Sequence, residues 1–89
     1  MPNSYDIITA AIEAYGEEHQ IIVAIEELSE LQKELTKYLR GRASLDHIAE
    51  EMADVRIMFT QLEFIFNNFE KVTEWEGMKL RRLQERIDG

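Results

Sequence analysis

No cysteine occurs in the 89 residues, so disulfides and thiolate metal sites are excluded. Histidine is nearly as scarce, and His19 and His47 alone do not make a typical zinc site. The single proline is Pro2 and there are only four glycines, which leaves little punctuation for a turn-rich fold. No apolar run approaches the ~20 residues that cross a bilayer, and no basic-then-apolar leader opens the chain. Basic residues are in deficit, 10 against 18 acidic, for a net charge of −8. A surface of that sign repels nucleic-acid phosphates. No nucleic-acid or membrane partner is therefore expected, and the expected setting is cytoplasmic. A small anionic ligand stays compatible if a cation, not the chain, supplies the positive charge.

What is present reads as helix. The length suits one domain, residues 1–89, and a fold this small buries a modest share of its surface, which favours a homo-oligomer. No stretch alternates apolar and polar residues for long, so strands are not expected. A first helix opens at Asn3 or Ser4 and stops at Gly16, with Tyr5, Ile8, Ala11, Ile12 and Tyr15 on its apolar face. A second runs from about Glu18 to Leu39 or Arg40. Its stripe is Ile21, Ile25, Leu28, Leu35 and Leu39, widened by Ala24, Leu31 and Tyr38. The short joint Gly41-Arg42-Ala43-Ser44 implies an antiparallel hairpin with a third helix, from about Leu45 to Phe66. That third helix is apolar on two faces: Ile48, Met52, Val55, Phe59, Leu62 and Phe66 on one, Ala53, Ile57 and Phe64 on another. It should lie centrally or at a subunit interface. Asn67-Asn68 breaks it, and a fourth helix follows from about Phe69 to Ile87, weakened at Gly77 by ~1 kcal/mol. The fold class expected is all-α, a four-helix bundle around an antiparallel central hairpin, intertwined in a homo-oligomer.

Two spacings carry chemistry. Glu27-x-x-Glu30 lies in the second helix and Glu51-x-x-Asp54 in the third. Residues three apart sit ~60° apart on one helical face, so each pair can converge on one cation. Measured from Arg42, the two pairs are out of register by only ~3–5 Å along the hairpin. Spacing alone is weak: chance predicts about three Glu-x-x-acid pairs in a chain this acidic, and Glu85-x-x-Asp88 makes the third. Phase is more telling. Glu51 falls inside the main apolar arc of its helix, between Met58 and Leu62, with Asp54 just beyond it near Ile65. Glu27 borders the arc of the second helix beside Tyr38. An ionised carboxylate in such surroundings costs several kcal/mol unless paired, protonated or bound to a cation. Oxygen ligands without His or Cys favour Mg²⁺ or Mn²⁺, with Ca²⁺ also open, over zinc. The Glu-x-x-His pattern of di-iron bundles is missing.

The fourth helix carries a basic row, Lys79, Arg82 and Arg86, at helical spacing beside Val72, Leu83 and Ile87. Near a metal such a row suits a polyphosphate; otherwise it pairs with neighbouring acids. His19 and Gln20 can hydrogen-bond a base edge, or simply sit exposed at a helix start. Tyr5, Tyr15, Tyr38 and Trp75 can stack a base or fill the core.

The run Glu26-Glu27-Leu28-Ser29-Glu30-Leu31, followed on the next long helix by Glu51-Met52-Ala53-Asp54-Val55, resembles the MazG-type all-α nucleoside triphosphate pyrophosphohydrolases. That family is marked by E-E-x-x-E-L and then E-x-x-D. The tail Lys79-Leu80-Arg81-Arg82-Leu83 is similar to the basic last helix of its small, often phage-type members. The resemblance spans essentially the whole chain and implies cleavage of a (deoxy)nucleoside triphosphate to the monophosphate and pyrophosphate. By motif position it implies Glu27, Glu30, Glu51 and Asp54 as Mg²⁺ ligands. It further implies Glu26, Glu27 and Glu30 in ordering or deprotonating water, and Lys79 and Arg82 on the phosphates. Members assemble as homodimers or homotetramers whose helices cover one another's sites. Three other readings stand beside it: a non-enzymatic oligomerisation or partner-binding module, a nucleotide sensor without turnover, and an acidic mimic of DNA.

Overall fold

The computed structural model describes residues 3–89 and contains four helices, with no strand among the described residues. They are α1 (Ser4–Tyr15), α2 (Glu17–Leu39), α3 (Leu45–Phe66) and α4 (Phe69–Asp88). Their ends follow from local chemistry. Asn3 and Asp6 form a reciprocal capping box: the Asp6 amide donates to Asn3 Oδ1 at 2.9 Å and the Asn3 amide to Asp6 Oδ2 at 3.3 Å. Gly16 separates α1 from α2 at φ +92°, where a side chain would be strained. Ser44 Oγ accepts from the His47 amide at 3.3 Å to open α3, and Asn67 closes that helix in the left-handed region at φ 48°. Gly77 does not interrupt α4.

The joint after α2 folds the chain back on itself, so α2 and α3 form an antiparallel hairpin that is the main packing unit. Gln20 Nε2 donates to Gln61 Oε1 at 2.8 Å across the far end, and Glu34 faces His47 near the joint. Both pairs lie symmetrically about a centre between Arg40 and Gly41. That centre is one to two residues earlier than Arg42. The shift removes the register mismatch expected between Glu27-x-x-Glu30 and Glu51-x-x-Asp54.

α1 packs across both helices of the hairpin, burying Ile8 and setting Tyr5 edge-on to Phe64 with ring centroids 5.8 Å apart. The buried apolar set is small: Ile8, Ala24 and Met58. Four buried polar residues, Gln20, Glu34, Glu51 and Gln61, share the hairpin seam with them. Most of the periodic stripe of α2 lies elsewhere, with its edge at Ala24 and Leu31 reaching the seam. Ile25, Leu28 and Leu35 are 58%, 50% and 47% exposed. The seam is formed instead by positions spaced three and four apart along that edge: 20, 24, 27, 31 and 34. On α3, Met52, Ile57, Phe59 and Phe64 are likewise exposed, as two apolar faces demand when one partner covers only one of them.

α4 contributes no buried residue, and it does not pack into the three-helix unit. The radius of gyration is 15.9 Å, against about 12 Å for a compact chain of this length. The accessible surface is 7366 Å², against about 5,400 Å² for a compact monomer of this mass. No described helix is long and apolar enough to cross a membrane.

Because so few side chains are fully enclosed, each should matter. Met58→Ala is expected to destabilise the chain by about 2–4 kcal/mol. Gln61→Ala, which strands the buried Gln20 amide, should cost about 1–3 kcal/mol. Urea unfolding followed by circular dichroism checks both.

Candidate metal centre

Helical period and hairpin register together place acids in the seam. Position 27 follows Ala24 by three residues on α2, and positions 51 and 54 precede Met58 by seven and four on α3. The buried Ala24 and Met58 thus lie one to two turns from all three carboxyls, forming an apolar floor with Leu28, Val55 and Leu62. One carboxylate oxygen from each of Glu27, Glu51 and Asp54 lies within 4.8 Å of the other two. Glu51 is only 8% exposed, and its Oε2 is buried without a hydrogen-bond partner. A lone carboxylate oxygen in that state is expensive, and its neighbours are two further acids that make it worse.

Glu27 registers the strain. Burial, then the charge and side-chain hydrogen bond of Asp54, then the charges of Glu51 and Glu30, raise its pKa above the usual 4.5. No Lys or Arg ion pair reaches Glu27, Glu51 or Asp54 among the described residues. The trio is therefore a concentration of negative charge with no lysine or arginine against it, and among the described residues His47 is the one basic group within 4 Å, beside Glu51. An octahedral ion with bonds of about 2.0–2.1 Å holds its oxygens about 2.9–4.2 Å apart, so only a small closing movement would fit the trio around Mg²⁺. The donor set and the unpartnered Oε2 both fit a hard divalent cation.

The remaining expected site residues are distributed as follows. Glu30 is exposed at the rim of the cluster, outside the converging trio but close enough for its charge to act on Glu27. Glu26 is exposed beside it on the helix. Lys79 and Arg82 lie on α4, exposed, and Lys79 lines an open groove with Phe59, Trp75 and Leu83, not the acids. Gln20 is buried with its amide given to Gln61, while His19 is exposed, its Nδ1 2.8 Å from Gln20 Oε1 and its ring 5.7 Å from that of Tyr15.

Two functional-looking residues were not singled out from the sequence. Glu34 is 4% exposed, and its Oε1 lies 3.1 Å from Lys37 Nζ and 3.5 Å from His47 Nε2. The same His47 nitrogen lies 3.5 Å from Glu51 Oε1. The available signals were heptad spacing, Glu34 seven residues after Glu27, and His47 one turn before Glu51.

Comparison of the chain with protein-family models, curated proteins and solved structures finds no match. The site's chemistry rests on its own geometry.

Glu27 holds its proton more tightly folded than unfolded, so the contribution is present below the unfolded pKa and lost as pH rises through the folded one. Without metal, stability should therefore decline from about 4.5 upward, and Glu27→Gln should flatten that decline. Paired urea titrations of the native chain and the variant across this range measure the difference.

Proposed function

We propose that the chain is a Mg²⁺-dependent nucleoside triphosphate pyrophosphohydrolase, converting a (deoxy)nucleoside triphosphate and water to the monophosphate and pyrophosphate. The observation that carries this reading is the convergence of Glu27, Glu51 and Asp54, with Glu51 Oε2 buried and unpartnered. A solubilising acidic face or a DNA mimic would turn those oxygens toward solvent. The order of the acidic motifs and the hairpin that joins them accord with the MazG-type resemblance.

In this reading Glu27, Glu51 and Asp54 hold the cation, and Glu30 completes the set from the rim. Mn²⁺ is an alternative occupant, since the donors are all oxygen. Bound Mg²⁺ supplies positive charge to the phosphates and makes water a better nucleophile. The chain's own residues do the rest. Glu30, exposed and beside the cluster, orients the attacking water in line with the α–β bond and accepts its proton, with Glu26 ordering solvent at the rim. The α-phosphorus–oxygen bond to the β-phosphate breaks, and pyrophosphate leaves. His19, about 12 Å along the α2 axis from Glu27, offers with Tyr15 an exposed ring surface for the nucleobase, and Gln20 sets the His19 ring.

Lys79 and Arg82 reach phosphates in this reading from a second copy of the chain. The support is the surface left uncovered. The accessible area exceeds that of a compact monomer by about 1,900 Å², within the range each chain buries in an obligate homodimer. Ile25, Leu28, Leu35, Trp75 and Leu83 are among the exposed apolar side chains that such an assembly covers. A homodimer or homotetramer follows.

The same uncovered surface suits the rival reading, an oligomerisation module without chemistry, and the acids separate the two. Pyrophosphate release from a panel of nucleoside triphosphates, with and without Mg²⁺, is the direct assay. Turnover should require the metal and fall by about 100-fold or more in Glu51→Gln and Asp54→Asn while the helices persist. Mg²⁺ at 100 times its Kd should also stabilise the native fold by about 2.7 kcal/mol. A chain indifferent to Mg²⁺ in both assays is the structural module instead.

A further inference from the structure

Glu34, Lys37 and His47 lie next to the metal centre but belong to none of its motifs. Glu34 is a nearly enclosed carboxylate, 4% exposed. It is anchored on its own helix by Lys37 at 3.1 Å, and it faces His47 of α3 at 3.5 Å. His47 Nε2 stands equally far, 3.5 Å, from Glu51 Oε1. One ring nitrogen is thus flanked by two buried carboxylates from opposite helices. Only one oxygen of Glu51 is engaged in this way. The other, Oε2, is enclosed and has no hydrogen-bond partner.

We infer that Lys37, Glu34 and His47 form a positioning relay that fixes the Glu51 carboxylate, holding Oε1 on the imidazole so that Oε2 remains free for the cation. The inference rests on the metal-dependent reading above and extends it to residues outside the acidic motifs. Its physical basis is rotational. A glutamate side chain has three torsions, and in a repulsive cluster its carboxylate is driven to swing away from Glu27 and Asp54. An imidazole nitrogen 3.5 Å from one oxygen restricts that freedom before the ion arrives. Glu34 holds the imidazole in place, and Lys37 offsets Glu34's charge. His47 is a positioning residue here, because it acts on Glu51 and not on substrate.

The test is Mn²⁺ binding to the full chain without nucleotide, read by electron paramagnetic resonance, with thermal unfolding measured alongside. His47→Leu removes the donor and should weaken Mn²⁺ binding about 10–100-fold. His47→Gln restores an N–H of similar reach and should recover most of the affinity, which a loss of packing alone would not do. Glu34→Gln should weaken binding in the same direction. Combined with His47→Leu it should add little, because both changes break one chain of contacts. Should His47→Leu not fold, Glu34→Gln against the native chain carries the comparison. Native-like Mn²⁺ affinity in folded His47→Leu or Glu34→Gln overturns the relay and leaves the metal centre standing. A native chain that binds no Mn²⁺ overturns both.

Discussion

Three carboxylates held within 4.8 Å of one another, with no lysine or arginine among the described residues paired to them, set the terms for the rest of this structure. Like charges in a partly enclosed seam repel, and each pays a desolvation penalty as well. Something must hold the two helices together against that force. At one end the Gln20 amide donates a buried hydrogen bond to the Gln61 carbonyl oxygen and ties α2 to α3, and Ala24 and Met58 pack beneath the cluster. At the other end Glu34 and His47 face each other near the joint. The acids sit between two clamps. A seam built only for stability would place leucines at 27, 51 and 54, since well-packed apolar residues match or outdo buried charge.

How much of this could be read from residue order depends on which forces are local. The helix ends were legible because caps act within one turn: Asn3 with Asp6, Ser44 with the His47 amide, Asn67 in the left-handed region. The Glu27, Glu51 and Asp54 grouping was legible because phase and joint length together constrain a hairpin. Register was legible only approximately. Gly41, at φ +72°, lets the chain turn one to two residues sooner than a centre at Arg42 would have it. The face of α2 that meets α3 was legible only at one edge, through Ala24, Glu27 and Leu31. Periodicity marks an apolar arc but does not say which neighbour covers it: Ile25 and Leu35 lie beside the seam, while the half-exposed Leu28 lines it with Ala24, Val55 and Met58. Glu34 escaped notice for the same reason: without the true seam, an acid seven residues beyond Glu27 looks like one more solvated charge.

The uncovered arcs and the isolated α4 are two views of one fact. Among the described residues only Ile8, Ala24 and Met58 are fully buried apolar side chains, a small hydrophobic driving force against the backbone entropy lost on forming four helices. α4 is amphipathic, with Val72, Trp75, Leu80 and Leu83 along a groove it shares with Phe59, yet nothing among the described residues fills that groove. Covering it with another copy both supplies the missing burial and, in the proposed function, delivers Lys79 and Arg82 to an otherwise wholly acidic site. Stability and catalysis would then share one interface.

A carboxylate trio can be neutralised by protons, by basic side chains or by a bound cation, and the structure narrows these. The one lysine in ion-pair reach of the seam's acids, Lys37, is engaged with Glu34. Lys79 and Arg82 lie on a helix that does not reach the cluster within its own chain. Protonation is a further internal remedy, and burial with the neighbouring charges of Asp54, Glu51 and Glu30 shifts Glu27 toward it. A proton satisfies Glu27 and Asp54 but leaves the enclosed Glu51 Oε2 without a partner. In the proposed function a divalent ion would answer all three carboxylates at once, the enclosed Glu51 included.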